Sequence, residues 1–433
     1  MTTHTPSLTL SAEPADLRPV QLAWLAAAVF VVSAGYGALL PLLPGWLTSL
    51  MPGATTTEIA RHIGFLSGVY SAGVLVGAPL WGVVSDRVGR GRILVIGLVG
   101  YVASLLLMLV PEFSGLWGIY VLRGATGFFV AAVVPVVSAL VAEYTPEDQR
   151  ARRFAWLGAM SLLGFLFGPG LNALADGVGS WVGEGAASSA GSAKIVIVLS
   201  ALLGAAMMLG LAWSLPASRS PDTATQINRV PNPSERTTAL WCLSGAVMFV
   251  LATFELGIVL QGQQHTGLSS REVALMFAEC SLVMLGINAL LFFTSLLEKT
   301  SARSLMSAGL ILAMAGLAVL AQHRAEAWMY LGVSLTAAGT GLLLPVISYL
   351  AAGTSRHKLG VTMGGLAAAA GLGQTLGSVT GGWLFGTLAQ RSFGWLTLPL
   401  VAMLILLVAR PGWWSASPSE LAHRPSAGAR FER

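Results

Sequence analysis

The chain has few charged residues for its length, few histidines and only two cysteines. Of its 433 residues, 10% are charged and 55% are hydrophobic. A soluble domain carries about 25% charged residues, so the charged side chains here are too few to cover the surface of a water-soluble protein of this size. The composition predicts that lipid replaces water around most of the chain. It excludes soluble enzymes, secreted scaffolds and disordered proteins.

The scarcity of cysteine and histidine also limits the chemistry that the chain can perform. Cys242 and Cys280 both lie in apolar stretches, offer neither a disulfide framework nor the spacing of metal ligands, and are interpreted as packing residues. The net charge of +5 is spread thinly between apolar blocks, which favours membrane orientation over nucleic-acid binding. We therefore predict no metal, no cofactor and no nucleic-acid partner.

Long apolar runs dominate what is present. A helix needs about 20 mostly apolar residues to cross a bilayer, and twelve segments meet this requirement. They are 20–47, 63–84, 93–110, 116–142, 154–175, 194–215, 239–261, 273–297, 303–321, 327–352, 359–388 and 393–410. The predicted fold is an all-α integral membrane protein with twelve transmembrane helices.

A polar stretch divides these helices six and six. Residues 216–238 are rich in Pro, Ser and Thr and have no apolar periodicity, so they are predicted to form a cytoplasmic linker. The predicted units are a tail at 1–19, a six-helix bundle at 20–215, the linker, a second six-helix bundle at 239–410 and a tail at 411–433.

The distribution of basic residues predicts the orientation in the membrane. If the N-terminus is inside, 18 of the 24 lysines and arginines fall in inner segments and 5 in outer ones. The remaining one, Arg123, lies within the fourth span. Because cytoplasmic loops carry an excess of basic residues, both termini are predicted to be cytoplasmic, in a multi-pass protein of the inner (plasma) membrane.

The two halves of the chain repeat one another. VVPVVSALVA in the fourth span and LLPVISYLAA in the tenth align at a constant offset of 210, with Pro135 matching Pro345. Gly164 and Gly168 of the fifth span match Gly373 and Gly377 of the eleventh at an offset of 209. Such repeats predict a pseudo-symmetric pair of bundles with a cavity between them near the midplane, which is typical of transporters.

The most specific string is GVVSDRVGRGR, in the inner loop between the second and third spans. The glycines permit close helix approach and a tight turn, and the charged residues can pair at helix ends. With Gly82, Asp86, Arg87, Gly89 and Arg90 in place, the loop resembles the signature of the major facilitator superfamily, although Gly91 stands where a basic residue is usual. The resemblance implies a transporter with two six-helix halves, in which this loop latches one access state.

The fifth span holds GAMSLLGFLFGPG, which begins at Gly158. Its Gly164, Gly168 and Pro169 are similar to the glycine-rich motif of twelve-helix drug:proton antiporters, while Asn172 and Ala173 replace the closing glycine pair. The first-span string GYGALLPLLPGW resembles the tetracycline-type exporters of that branch. This resemblance implies export rather than uptake, and a general close-packing helix is the alternative interpretation of the fifth span.

Three charged residues lie inside predicted spans. Arg123, in YVLRGATG, matches with Gly127 a family motif that is linked to proton coupling, and a purely structural counter-ion is the alternative. Glu255 and Glu279 are acidic residues in the seventh and eighth spans, and either could carry a proton in exchange for cargo. Glu255 is favoured because Glu279 lies close to the outer end of its span. Tetracycline-type exporters usually have an acidic residue in the first span, where this chain has Val32 and Ser33.

Four polar residues are candidates for lining the cargo cavity, and each could equally form a helix–helix hydrogen bond. They are Tyr36, Asn172, Asn288 and Gln374. The main hypothesis is a secondary active transporter that exports a small, partly apolar compound in exchange for protons, as a monomer in the lipid bilayer. The alternative is a facilitator or importer of the same fold. A membrane-embedded enzyme is the least favoured hypothesis, since the short loops hold no nucleophile–base pair and no metal cluster.

Overall fold

The computed structural model describes residues 18–145, 147–182, 189–214, 234–264, 268, 270–294, 296–352 and 356–411. Within these residues every regular element is a helix. Most of the predicted tails and linker, at 1–19, 216–238 and 411–433, lies outside the described residues.

In the first half of the chain, a 3-10 turn at Leu40–Leu42 separates the first two of eight helices. These are α1 (Pro19–Leu39), α2 (Leu43–Leu50), α3 (Thr56–Val88), α4 (Arg90–Leu107), α5 (Leu116–Val130), α6 (Val134–Glu143), α7 (Glu147–Val182) and α8 (Ser189–Ser214).

In the described residues of the second half, another 3-10 turn, Ala389–Arg391, follows the helix Arg356–Leu388. The helices are α9 (Glu235–Gln264), α10 (Ser270–Phe293), α11 (Leu296–Lys299), α12 (Ala302–Gln322), α13 (Glu326–Ala352), α14 (Arg356–Leu388), α15 (Ser392–Trp395) and α16 (Thr397–Ala409).

The predicted helical membrane fold is confirmed. Eleven helical segments in the described part of the chain are long and apolar enough to cross a membrane. The last of these, Thr362–Ala409, has 48 residues, about twice what one crossing needs. It turns at Ala389, whose φ is 49°, and beyond it the Ser392 hydroxyl donates to the carbonyl of Leu384. The predicted eleventh and twelfth spans lie on either side of this turn.

Prolines interrupt two spans that the sequence predicts as single helices. The first span breaks at Leu40–Leu42, where Pro41 and Pro44 lack the N–H that an α-helix requires. The fourth breaks after Val130, and Pro135 lies in the first turn of α6. Its repeat mate Pro345 lies inside the continuous helix α13. The matched prolines therefore have different effects in the two halves.

The matched glycines, by contrast, have the same role in both halves, which is to allow close packing of two helices. In α7, a Cβ on Gly168 would lie 2.5 Å from the carbonyl carbon of Gly37 in α1. In α14, a Cβ on Gly373 or Gly377 would collide with the carbonyl oxygens of Gly245 and Phe249 in α9. Each half thus packs its first long helix against its fifth span, backbone to backbone, through glycines at equivalent positions.

The described contacts between the two halves run from one end of the bundle, here called the Thr57 end, to beyond the middle of α3, where Leu75 meets Gly371 of α14. The Thr57 hydroxyl of α3 donates to the carbonyl of Gly386 in α14, with an oxygen–oxygen distance of 2.7 Å. About two helical turns further along α3, a Cβ on Gly64 would lie 2.6 Å from the Cα of Gly382 in α14. A second pair, α7 and α10, meets through Phe165 and Phe277, whose ring centroids are 5.7 Å apart.

At the opposite end, here called the Asp86 end, each of the same four helices has one glycine that is not packed against a neighbour. A Cβ on any of them would have no neighbouring atom within 4 Å. These glycines are Gly82 of α3, Gly158 of α7, Gly286 of α10 and Gly364 of α14. The structure is therefore a conformation in which the halves meet from the Thr57 end to beyond the middle of α3 and leave these four glycines of the Asp86 end unpacked.

Two glycines of α14 allow a matched test of this packing. Leucine at Gly373 would collide with the backbone of α9, whereas leucine at Gly364 meets open space. Because both changes alter helix propensity equally, the difference in melting temperature between the two variants reports the effect of packing alone. We expect Gly373→Leu to destabilise the protein by about 1–3 kcal/mol and to lower its melting temperature in detergent. Gly364→Leu should melt within about 1 °C of the wild-type protein, and equal shifts would contradict the packing described here.

Candidate functional site

Arg123 of α5 is buried in the first half, beside two tyrosines that stack on each other. It is 2% exposed, and its guanidinium carbon lies 4.7 Å from the ring centroid of Tyr70 in α3 and 5.6 Å from that of Tyr36 in α1. The two rings are stacked, with centroids 5.0 Å apart. We call Tyr36 and Tyr70 the tyrosine cage. Cation–π attraction to both rings holds the charge of Arg123 at membrane depth.

Glycines bring the cage and the arginine together. A Cβ on Gly127, one helical turn after Arg123, would collide with the backbone carbonyl of Tyr70. Gly73, on the next turn of α3, is equally close to the carbonyl of Gly124. The Arg-x-x-x-Gly spacing of α5 therefore has a local reason, since the glycine permits the approach of α3 that places Tyr70 beside the guanidinium.

A small pocket lies beside Arg123, between α1, α3, α4 and α5. Its lining residues are Val32, Gly35, Tyr36, Leu39, Tyr70, Tyr101, Leu105, Arg123 and Thr126. The Thr126 hydroxyl donates to the carbonyl of Leu122 at 2.7 Å, while Nε and Nη2 of Arg123 have no hydrogen-bond partner in the described structure. The pocket is thus lined by one cation, by hydroxyl groups and by apolar side chains.

Glu255 faces the site from the other half of the molecule. It lies in α9, is partly buried, and makes no hydrogen bond or ion pair with a described residue. Its carboxylate interacts electrostatically with the Tyr36 hydroxyl of α1 and with the Cys280 thiol of α10. Tyr36 also interacts with Arg123. A single tyrosine therefore contacts the buried cation of the first half and lies within electrostatic range of a partly buried acid of the second.

Aromatic rings continue from the cage across the interface between the halves. Tyr36 lies 5.9 Å, centroid to centroid, from Phe165 of α7. Phe165 in turn lies 5.7 Å from Phe277 of α10. Gly164 and Gly168 press α7 against α1 on either side of Phe165, which explains locally why this ring reaches the cage.

The sequence-based prediction named Tyr36 but missed Tyr70, Tyr101, Phe165 and Phe277. One signal could have identified the tyrosines. Tyrosine favours the membrane interface, yet Tyr36, Tyr70 and Tyr101 lie near the middle of their spans. All three interact electrostatically with Arg123, so tyrosines at unusual depth marked the surroundings of the buried charge.

The second acidic candidate, Glu279, is held elsewhere. It lies in α10, where one carboxylate oxygen accepts a hydrogen bond from the Ser334 hydroxyl of α13. The other oxygen has no partner in the described structure. Glu279 also interacts electrostatically with Tyr330, near the first turn of α13. The structure therefore brings Glu255, but not Glu279, to the tyrosine cage.

The remaining cavity candidates are dispersed. Asn172 of α7 is 8% exposed, and neither atom of its amide has a hydrogen-bond partner in the described residues. The Asn288 amide donates to the Met284 carbonyl of its own helix at 2.8 Å. Gln374 of α14 is partly buried. For the described residues, no hydrogen bond joins these three to Arg123 or Glu255.

The predicted inner-loop signature forms an ion-pair network at the Asp86 end. Arg90 contacts the carboxylates of Asp86 at 3.3 Å and Glu143 at 3.0 Å, and it donates to the Ala139 carbonyl. Gly89 makes the turn between α3 and α4 with a φ of 102°. Arg87 is exposed. The loop is tied to α6 of its own half, while Gly82 packs against nothing in this conformation.

The fifth-span motif divides in a similar way. Gly164 and Gly168 pack against α1 as described, and Pro169 lies inside the continuous helix α7. Gly158, one of the free glycines of the Asp86 end, makes no close approach. The motif therefore contributes close packing through its second and third glycines only.

A helical membrane bundle with opposite charges buried at depth in its two halves is the architecture of a membrane transporter. Residues 25–291 match the family model described as Major Facilitator Superfamily. Because this match spans more than half of the chain, the protein belongs to the Major Facilitator Superfamily, a family of transporters and not of enzymes.

The curated relatives include tetracycline resistance proteins. The chain is 36% identical over 135 residues to the class B protein of Escherichia coli, which is 31% of this chain and 32% of that protein. This alignment therefore spans about a third of that relative's length. A longer alignment joins the chain to the class D protein of Salmonella ordonez, with 26% identity over 383 residues, 87% of this chain and 92% of that protein.

A solved structure shows the same fold. The human organic anion transporter MFSD10 (TETRAN) aligns with a TM-score of 0.69 and 18% identity, over 90% of this chain and 100% of that one. At this identity the likeness establishes the fold alone.

The tyrosine cage can be tested with two variants of Tyr70, which separate the contribution of the ring from that of the hydroxyl. Tyr70→Leu removes the ring over which the guanidinium lies, whereas Tyr70→Phe keeps it. We expect the leucine variant to lose about 1–2 kcal/mol of stability, because the cation–π contact of a desolvated arginine is lost. The phenylalanine variant should keep most of it. Thermal unfolding of the purified proteins measures both, and equal losses would show that the ring face does not stabilise Arg123.

Proposed function

We propose that the protein is a proton-coupled exporter of a small, partly apolar compound and works by alternating access. The observation that carries this proposal is the position of Tyr36, whose ring contacts Arg123 of the first half and which lies within electrostatic range of Glu255 of the second. A relative movement of the halves would change the surroundings of both charges at once. Such a movement is the requirement for linking the binding of a proton to a change of access.

Glu255 is the proposed proton carrier. A carboxylate at membrane depth is costly unless it is paired, protonated or hydrated, and Glu255 has no hydrogen-bond or ion-pair partner among the described residues. A proton or a cargo molecule can each relieve that cost, so the two compete for the same site. Glu279 has a subordinate role in this proposal, since the Ser334 hydroxyl satisfies one of its oxygens.

The charge distribution supports the direction of access. The basic residues are concentrated on the side of the inner loop, Asp86 to Arg90, which favours a cytoplasmic position for the Asp86 end and for both termini. The conformation described here would then be the one that is open toward the cytoplasm and ready to receive cargo. In this proposal the protein is a monomer in the plasma membrane, and its two bundles, 20–215 and 239–410, rock against each other.

The curated relatives support a drug as cargo. Two of them are named as tetracycline resistance proteins, so tetracycline is the first compound to test. The chain differs from that type in its first span, where Val32 and Ser33 take the place of an acidic residue. Arg123 accordingly contacts tyrosine rings in this protein, and the proposal assigns proton exchange to the second half.

The test uses everted membrane vesicles with an acidic interior. A proton-coupled exporter should drive tetracycline, or a fluorescent amphipathic dye found in a growth screen, into the vesicles, and collapse of the pH gradient should stop it. We expect Glu255→Gln to reduce gradient-driven uptake by about 10-fold or more, because glutamine cannot bind and release the proton; a tenfold loss of rate corresponds to about 1.4 kcal/mol. Uptake down a cargo gradient should persist.

Glu326→Gln is the matched control, because Glu326 is an exposed glutamate in the first turn of α13. It should transport like the wild-type protein. Transport that ignores the pH gradient, or that is unchanged in both Glu255→Gln and Glu279→Gln, would overturn proton coupling. Either result would favour a facilitator or importer of the same fold.

A further inference from the structure

The charge of Arg123 has no counter-ion among the described residues. No described carboxylate forms an ion pair with it, and the groups that interact with it electrostatically are the hydroxyls of Tyr36, Tyr70 and Tyr101. Glu255 does not fill this role, because its own electrostatic partners are Tyr36 and Cys280. The first half therefore buries a full positive charge that its own described side chains leave unbalanced.

The tyrosine cage compensates for only part of this imbalance. Cation–π attraction is weaker than the desolvation of an ion in an apolar surrounding. Hydrogen bonds are also missing, since Nε and Nη2 of Arg123 have no described partner. A buried guanidinium with two unpaired nitrogens is costly in any conformation. A ligand that accepts hydrogen bonds and carries negative charge would relieve both deficits.

The pocket beside Arg123 is suited to such a ligand and limits its size. Arg123 lines it at 2% exposure, together with the polar groups of Tyr101 and Thr126. The apolar side chains of Val32, Leu39 and Leu105 complete the wall. The lining contains no acidic residue that would repel an anion. The free space beside the guanidinium is small, which favours a small ion over carboxylate-bearing metabolites and drugs.

We propose that this pocket binds a small monovalent inorganic anion, such as chloride, as the counter-ion of Arg123. The anion accepts hydrogen bonds from the guanidinium, in the same pocket that Tyr36 and Tyr70 of the cage help to line. Bound in this way, it neutralises the first half without a protein carboxylate. The site is separate from the proposed exchange of proton and cargo at Glu255, which lies beyond Tyr36.

The first test is thermal unfolding of the purified full-length protein in sodium chloride and in sodium gluconate at equal ionic strength. A ligand that binds only the folded state raises the melting temperature, whereas gluconate is too large for the pocket. We expect chloride and bromide to raise the melting temperature by about 3 °C or more over gluconate. Arg123→Gln should lose this difference. Arg61→Gln, which removes an exposed arginine of the same half, should keep it.

A second measurement locates the ion without a variant. Crystals of the wild-type protein grown in sodium bromide should show an anomalous peak within hydrogen-bonding distance of the Arg123 guanidinium. Equal melting temperatures in chloride and gluconate, no bromide peak at Arg123, or a halide effect that persists in Arg123→Gln would each overturn the proposal. Neither measurement involves cargo or a pH gradient, so failure here leaves the proposed exporter standing, and failure of export leaves the anion site standing.

Discussion

Close approach of helix backbones is the constraint on which this structure depends. In lipid, apolar side chains do not drive helices together, because the lipid tails are equally apolar, and association relies on packing and on small residues. Gly168 against Gly37 in the first half and Gly373 against Gly245 in the second provide that approach. The same solution joins the halves, where Gly64 meets Gly382. Many of the glycines of the chain therefore serve to bring helix backbones into contact, both within the halves and between them.

The buried charge depends on the same constraint. Gly127 lets α5 reach the backbone of Tyr70, and this approach brings the ring of Tyr70 to the guanidinium of Arg123. Phe165 reaches Tyr36 because Gly164 and Gly168 hold α7 against α1. The surroundings of Arg123 are thus a product of helix spacing, and a larger residue at one of these glycines would alter the electrostatics of the site as well as its packing.

The fold was predictable because lipid leaves a chain few choices. A bilayer requires every backbone polar group to be satisfied within the segment, so apolar length alone predicted the helices. Arg123 was also predictable, as the single basic residue inside a span. Tyr70, Tyr101 and Phe277 were not, since their contacts depend on the rotation of one helix against another. The unequal effects of Pro135 and Pro345 likewise depend on tertiary packing, which the matched strings around them do not encode.

The assignment of roles to the two glutamates illustrates the same limit. Hydropathy marked Glu255 and Glu279 equally as buried acids, and only their depth along the span separated them. The structure separates them by their partners, since Tyr36 interacts with Glu255 and the Ser334 hydroxyl is bonded to Glu279. Those partners lie on other helices, far away in sequence, and no local sequence pattern predicts them.

The four free glycines of the Asp86 end have a consequence for how such a sequence is understood. Gly82, Gly158, Gly286 and Gly364 weaken their helices entropically and, in this conformation, provide no packing in return. In the proposed alternating access, these glycines would form the interface once the opposite end separates. In that proposal the sequence must be compatible with two conformations. The four free glycines are then explained by the conformation in which the Asp86 end is closed.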